Sequence, residues 1–113
     1  MPAAHKMRRP ADFAATLTGG RQGCNLVVAY AARRSDERRL VGYIVSKAVG
    51  PSVRRHKVTR RLRAIMASQL GAVPAGTSVV IRALPASAQA SYPTLQRAVT
   101  KTVDRAMRKA VDK

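Results

Sequence analysis

One ten-residue segment concentrates the side chains that could bind a ligand. It reads Arg54-Arg55-His56-Lys57-Val58-Thr59-Arg60-Arg61-Leu62-Arg63 and contains six Lys or Arg residues but no acidic residue. Like charges four residues apart repel one another on an isolated helix. Guanidinium groups, in turn, hold phosphate through two parallel hydrogen bonds. The segment therefore predicts a phosphate-binding surface.

The charge of the whole chain supports the same prediction. Its 113 residues include 22 Lys and Arg but only 5 Asp and Glu, giving a net charge of +17. Such a charge repels itself in a compact state unless a polyanion neutralises it. Nucleic acid is the first candidate, an anionic membrane surface the second, and a role in solubility a distant third.

A membrane role is weakly supported by the sequence. No run of 18 apolar residues is present, and no apolar signal-peptide core follows the basic N-terminus. We therefore expect a cytoplasmic protein that does not require a membrane.

Residue types that would carry catalysis or hold a metal are scarce. Cys24 is the only cysteine, and His5 and His56 are the only histidines. Neither an internal disulfide nor a transition-metal cluster is predicted from so few ligands. The Asp36-Glu37 pair falls in a polar stretch and is typical of an exposed turn. We expect no catalytic residue and no metal site on the protein, and Cys24 is interpreted as a small buried residue.

Hydrophobic periodicity predicts the elements that position the basic segment. A helix should begin at Pro10 and end before Gly19-Gly20. The other predicted elements are strands at residues 26–31 and 40–45, a helix at 52–70, a strand at 77–84 and a last helix from about residue 92. The polar residues 32–39 are interpreted as a hairpin loop between the first two strands.

This order, α-β-β(-β)-α-β-α with room for one further strand, predicts an α/β (α+β) two-layer sandwich. We expect a single domain over residues 1–113, with residues 1–9 as a flexible basic N-terminus.

A helical wheel divides the basic segment. Val58, Leu62, Ile65 and Met66 form one stripe that should face a core. Six residues lie away from this stripe: Arg54, His56, Lys57, Arg60, Arg61 and Arg63. Arg55 lies on the buried side, and because an unpaired buried cation is costly, we expect it at the mouth of a groove.

RNA is favoured over DNA as the partner. The sequence has no helix-turn-helix, zinc-finger or zipper pattern. Its aromatic residues are few, so a long stacking platform is not predicted. Core packing is the favoured interpretation of Phe13 and Tyr43, and one or two stacking positions remain open. A structural RNA-binding protein, such as a ribosomal protein or RNA chaperone, and a DNA-compacting protein are the alternatives.

Residues 42–63 strongly resemble the bacterial ribonuclease P protein component. That family has a strand ending in Val-Ser-Lys, here Val45-Ser46-Lys47, then a Gly and an Arg-rich helix. The departures are Arg55-His56-Lys57 in place of Arg-Asn-Arg, Thr59 and Ala48 in place of basic residues, and Leu17 where an aromatic residue is common. The departures at residues 55–57, 59 and 48 change individual RNA contacts relative to the family pattern. Leu17 reduces the contribution that the first helix could make by stacking.

The resemblance implies a compact sandwich with a mixed sheet and a left-handed crossover between parallel strands. It also implies a division of labour. A catalytic RNA subunit hydrolyses the phosphodiester with Mg²⁺ that it mainly holds itself. The protein, non-catalytic alone and needing no protein partner, binds that RNA and the 5′ leader of precursor tRNA, which enters a cleft between the sheet and the second helix.

Site residues follow from the same resemblance, position by position. The residues implied to contact the catalytic RNA are Arg54, Arg55, His56, Lys57, Arg60, Arg61 and Arg63. Those implied to line the leader cleft are Phe13, Tyr30 and Lys47.

Overall fold

The computed structural model describes residues 5–111, which form three helices and one four-stranded sheet. The elements are α1 (Pro10–Leu17), β1 (Gly20–Gly23), β2 (Val27–Arg33), β3 (Arg39–Ile44), α2 (Ser52–Gln69), β4 (Thr77–Ala83) and α3 (Tyr92–Val111). The predicted α+β fold is confirmed, and β1 takes the place left for one further strand. Of the N-terminus predicted to be flexible, residues 1–4 lie outside the described residues, whereas Met7 donates its backbone N–H to the carbonyl of Val41 at 2.9 Å.

The sequence alone did not give the strand order, which the structure supplies. The order is β1-β2-β4-β3, with β3 and β4 parallel and the other two pairs antiparallel. The predicted hairpin between β2 and β3 is wrong, because β4 lies between them. The apolar β4 occupies an interior position where both of its edges are paired, and α2 forms the crossover that returns the chain parallel to β3. The left-handed sense of that crossover stays a prediction from the resemblance.

The larger hydrophobic core lies between one face of the sheet and the helices α2 and α3. The predicted stripe of α2 is confirmed, since Val58, Leu62, Ile65 and Met66 are buried there. Facing residues of α3 are buried as well: Leu95, Val99, Val103 and Ala106. Cys24, interpreted from the sequence as a small buried residue, packs at the margin of this core and is partly buried.

Among residues 5–111, the opposite face of the sheet is covered by α1 and by a smaller cluster. Met7, Leu40 and Val80 are buried there. Thr16 of α1 and Ser78 of β4 share a hydrogen bond at 2.7 Å between their hydroxyl oxygens. Because α1 has eight residues against the twenty of α3, part of this face stays uncovered.

None of the helices in the described part of the chain is long and apolar enough to span a membrane.

Candidate nucleic-acid interface

A sharp turn leads from β3 into the basic helix α2. Residues Lys47–Val49 form a short 3-10 helix, and Gly50 follows with φ 143°, a conformation that side chains with a Cβ rarely adopt. Arg55 holds this turn from within α2. Its Nε donates to the carbonyl of Gly50 at 3.2 Å, and its Nη2 donates to Oγ of Ser52 at 3.1 Å. The partly buried Arg55 is therefore satisfied by the turn beside it and fixes the start of the helix.

Five residues of α2 form an exposed surface that we call the α2 basic face: Arg54, His56, Lys57, Arg60 and Arg63. None of their side chains pairs with an acidic side chain of residues 5–111. A shallow depression on this face is lined by His56, Arg60 and Arg63 together with Val53 and Thr59. The face thus presents uncompensated positive charge to solvent, as the helical wheel predicted.

Arg61 takes a different position from its neighbours on the wheel. It is partly buried, and its Nη1 donates to the carbonyl of Ala90 at 2.9 Å, in the segment that precedes α3. The wheel placed Arg61 away from the core of its own helix, but α3 and its approach cover that side. A guanidinium has five donors, so this bond leaves others available for phosphate.

A second surface lies on the α1 side of the sheet. Tyr30 and Ile44 pack against the smaller cluster there, and strand alternation places Arg82, two residues after Val80, on the same side. Arg21 of β1 is opposite Tyr30 of β2 in the strand register. Its guanidinium carbon lies 6.0 Å from the centre of the Tyr30 ring.

Phe13 completes this surface from α1. A Cβ added at Gly42 would approach the Phe13 ring to 2.6 Å, so the ring lies directly against the backbone of β3. We call the surface of Phe13, Arg21, Tyr30, Ile44 and Arg82 the open sheet face. Both of its rings are partly buried and its two arginines are exposed.

The expected position of the leader cleft needs correction. The space between the sheet and α2 is filled by Val58, Leu62 and Ile65, which are at most 2% exposed. Phe13 and Tyr30, which were expected to line a cleft there, lie on the opposite face of the sheet. The reason is packing: α2 must bury its apolar stripe against the sheet, whereas the short α1 leaves the other face partly open.

Lys47 lies between the two surfaces along the chain. It is exposed in the turn that follows β3 and precedes α2. The sequence-based prediction missed Arg21 and Arg82. Arg82 could have been noticed in the sequence, because it is the one charged residue of β4. It is also the one exposed residue of that strand.

The chemistry of a metal or an acid–base pair is not suggested by the described residues. Within residues 5–111 there is no group of three or more His, Cys, Asp or Glu side chains that could hold a metal ion. Burial raises the pKa of Tyr43 in spite of the nearby Arg63, so the phenol stays protonated at neutral pH. Tyr43 packs against the larger core, as was favoured from the sequence.

Comparison with known proteins identifies the family of this chain. The family model described as Ribonuclease P matches residues 1–107. The ribonuclease P protein component of Rhodococcus opacus is 45% identical over 105 residues, covering 86% of this chain and 84% of the relative. That of Kocuria rhizophila is 40% identical over 111 residues, covering 96% of this chain and 97% of the relative.

Solved structures show the same fold at low sequence identity. The RNase P protein of Staphylococcus aureus superimposes with a TM-score of 0.79 at 21% identity, covering 89% of this chain and 94% of that protein. The RNase P protein of Thermotoga maritima gives a TM-score of 0.77 at 19% identity, with 88% and 96% covered. The family match over nearly the whole chain and the close curated relatives lead to one conclusion: this chain belongs to the ribonuclease P protein component family.

Proposed function

We propose that this chain, as the protein subunit of ribonuclease P, binds two RNA elements on opposite sides of its sheet. The catalytic RNA would lie on α2, and the 5′ leader of precursor tRNA would lie on the open sheet face. The observation that carries the proposal is the separation itself. The α2 basic face is helical and cationic, whereas the open sheet face combines two aromatic rings with two arginines.

The contact with the catalytic RNA is proposed for all seven basic residues of the segment. Five project freely from the α2 basic face, and Arg55 and Arg61 are held in place by hydrogen bonds to backbone carbonyls. Donors that are already positioned lose less side-chain entropy when a phosphate arrives. The result would be a basic ridge with two fixed and five mobile cationic side chains, suited to the backbone of a folded RNA.

The leader contact is proposed for Phe13, Tyr30 and Lys47, joined by Arg21 and Arg82. Unpaired bases stack on aromatic rings irrespective of their sequence, and neighbouring cations attract the backbone phosphates. Arg21 and Arg82 lie on the same side of the sheet as Tyr30. A single strand of RNA fits these requirements better than a duplex, whose bases are already stacked.

The chemical step is assigned to the RNA subunit. Mg²⁺ held mainly by that RNA would supply the activation of water and the stabilisation of the leaving oxygen. The carboxylates of Asp12 and Asp36 in this chain are both paired with Arg34. The protein would therefore bind and orient the RNA, in the cytoplasm and without a further protein partner.

Reconstitution tests the proposal. The purified protein should leave precursor tRNA intact, and addition of its cognate catalytic RNA should yield cleavage at a low Mg²⁺ concentration that does not support the RNA alone. Cleavage by the protein free of RNA, with contaminating nuclease excluded by an inactive preparation made in parallel, would contradict the assignment of the chemistry. Ribosomal RNA as the stoichiometric partner in a purification would favour a structural RNA-binding protein instead.

A further inference from the structure

A third cationic site lies where the chain enters α1. It is a pocket of about 220 Å³ on the surface. Four of its six lining residues are basic: Lys6, Arg8, Arg9 and Arg38, with Asp12 and Leu40 as the others. All four basic side chains are exposed, and none pairs with an acidic side chain in the described part of the chain. The pocket is thus positively charged without belonging to either surface described above.

The carboxylates close to this pocket are already paired. Arg34 donates from Nη1 to Oδ1 of Asp12 at 3.1 Å and from Nε to Oδ1 of Asp36 at 2.9 Å. The hydrogen bond from Arg34, helped by the backbone N–H of Arg38, lowers the pKa of Asp36 to about 2. Arg34 offsets one of these two negative charges. With the four basic side chains of the pocket the local balance stays positive, at five basic against two acidic groups, which leaves positive charge for an external anion.

The backbone around the pocket is held before any ligand arrives. The N-terminal segment pairs with the edge of β3 through Lys6 and Met7, and Met7 N–H donates to the Val41 carbonyl at 2.9 Å. On the other wall, the carbonyl of Arg38 accepts from Gly76 N–H at 3.1 Å. The first turn of α1 carries Asp12, whose carboxylate offsets the partial positive charge of the helix N-terminus, so the positive potential comes from the four basic side chains. This arrangement suits a phosphate group.

The position of the pocket indicates which RNA strand would reach it. Leu40 of its lining and Ile44 of the open sheet face are on the same side of β3, four residues apart, or about 13 Å along the strand. The helix α2 packs on the other side of the sheet. Phe13 of α1 lies over Gly42, between these two residues, so a strand that leaves the open sheet face would reach the pocket around the N-terminal end of α1. An RNA bound to α2 is on the far side.

We propose that this pocket binds backbone phosphates of the 5′ leader beyond the nucleotides that lie on the open sheet face. This inference rests on the proposed function and extends it. The pocket has no aromatic ring in its lining, so the contact would attract phosphate without selecting a base sequence. Its effect would depend on leader length, since a short leader ends before it reaches the pocket.

The test uses the holoenzyme reconstituted with its catalytic RNA and the double variant Arg8→Gln plus Arg9→Gln. Affinity is measured for mature tRNA and for precursors with a series of leader lengths, at several salt concentrations. For long leaders we expect on the order of a tenfold loss of affinity. The slope of log K against log salt concentration should become shallower by up to about 1.4, which corresponds to two single-strand phosphate contacts. For short leaders and mature tRNA we expect no change.

A charge-matched control variant is Lys101→Gln plus Arg105→Gln, which removes two exposed charges from α3. It should bind long and short leaders like the wild type. An equal loss in this control, or a loss in the Arg8 and Arg9 variant that is independent of leader length, would overturn the proposal. Normal binding of short leaders shows that the variant is folded. A wild-type holoenzyme that ignores the leader altogether would instead refute the proposed function.

A second probe removes the charge from the RNA. Neutral methylphosphonate linkages in the distal leader should weaken binding to the wild type on the order of tenfold and should have no effect on the Arg8 and Arg9 variant. An equal effect of these linkages on both proteins would place the distal phosphates elsewhere and overturn the inference.

Discussion

The α2 basic face and the open sheet face are both positively charged, but they are built from different parts. The α2 basic face projects from one helix, contains no Phe, Tyr or Trp and lies above a fully buried stripe. The open sheet face draws on α1 and all four strands of the sheet and combines rings with charge. One surface could be recognised from a single stretch of sequence, whereas the other exists only when distant segments meet.

The difference also concerns what each surface can discriminate. Cations on a helix attract any correctly spaced phosphates, so their partner is selected by its shape. Aromatic rings on a sheet surface accept unpaired bases, so a partner that stacks on them must be single-stranded. We therefore expect mutations on the two surfaces to affect different RNA ligands.

The largest effect is expected on α2. The triple variant Lys57→Gln, Arg60→Gln and Arg63→Gln should weaken binding of the catalytic RNA on the order of 100-fold at fixed salt. The slope of log K against log salt concentration should become shallower by up to about 2.7. Equilibrium binding at several salt concentrations measures both quantities. A matched variant of α3, Arg97→Gln, Lys101→Gln and Arg105→Gln, should have a much smaller effect. Equal losses in the two variants would show that net charge, and not the α2 basic face, determines affinity.

A smaller and more selective effect is expected at Phe13. Stacking of a base on an aromatic ring contributes about 1–3 kcal/mol, so Phe13→Ala should weaken binding of precursor tRNA about tenfold relative to mature tRNA. Affinity for the catalytic RNA should stay unchanged. Leu17→Ala serves as the control, since Leu17 is on the same helix and 39% exposed. An equal loss for precursor and mature tRNA would contradict the separation of the two surfaces.

Arg60 and Arg61 allow a comparison within α2. Each Arg→Gln change removes one charge, but only Arg61 donates to the carbonyl of Ala90. Arg61→Gln should lower the free energy of unfolding by about 1 kcal/mol relative to Arg60→Gln, which is a few degrees in Tm for a chain of this size. Thermal denaturation of both variants in the same buffer measures the difference. Equal Tm values would mean that the bond to Ala90 contributes nothing to stability.

The smallest effect is expected for Arg34→Gln, at the base of α1. Loss of the Arg34 guanidinium should raise the pKa of Asp36 from about 2 towards the ordinary value of about 4. NMR titration of the Asp36 carboxyl carbon measures this pKa. Because the folded-state pKa is lowered, the stabilisation by this pair is fully present above about pH 4 and is lost as the pH falls through about 2. An Asp36 pKa near 2 in the variant would show that another group lowers it.

The same variant bears on the two surfaces. Since Arg34 ties the β2–β3 loop to Asp12 of α1, its loss should weaken leader selection slightly and leave binding to α2 unchanged. A reduced affinity for the catalytic RNA would show that the two sides of the sheet are coupled.

The basic helix α2 and its two faces could be predicted from local sequence. The bounds of α2 and its buried stripe followed from apolar residues at helical spacing, and the free cations of its outer face followed from the same wheel. The resemblance at residues 42–63 was equally local and identified the family. These features depend on residues within a few turns of one another, where helical geometry fixes which side chains share a side.

Only the tertiary structure decided the strand order and the location of the second surface. That β4 lies between β2 and β3, that Arg61 meets the carbonyl of Ala90, and that Phe13 lies over Gly42 all depend on segments distant in sequence. Strand pairing and helix packing are chosen by the burial of whole apolar faces, and no single segment encodes that choice. The basic helix could therefore be predicted from its own residues. The face proposed to bind the leader is formed by residues distant in sequence, and it could be identified only from the assembled sheet.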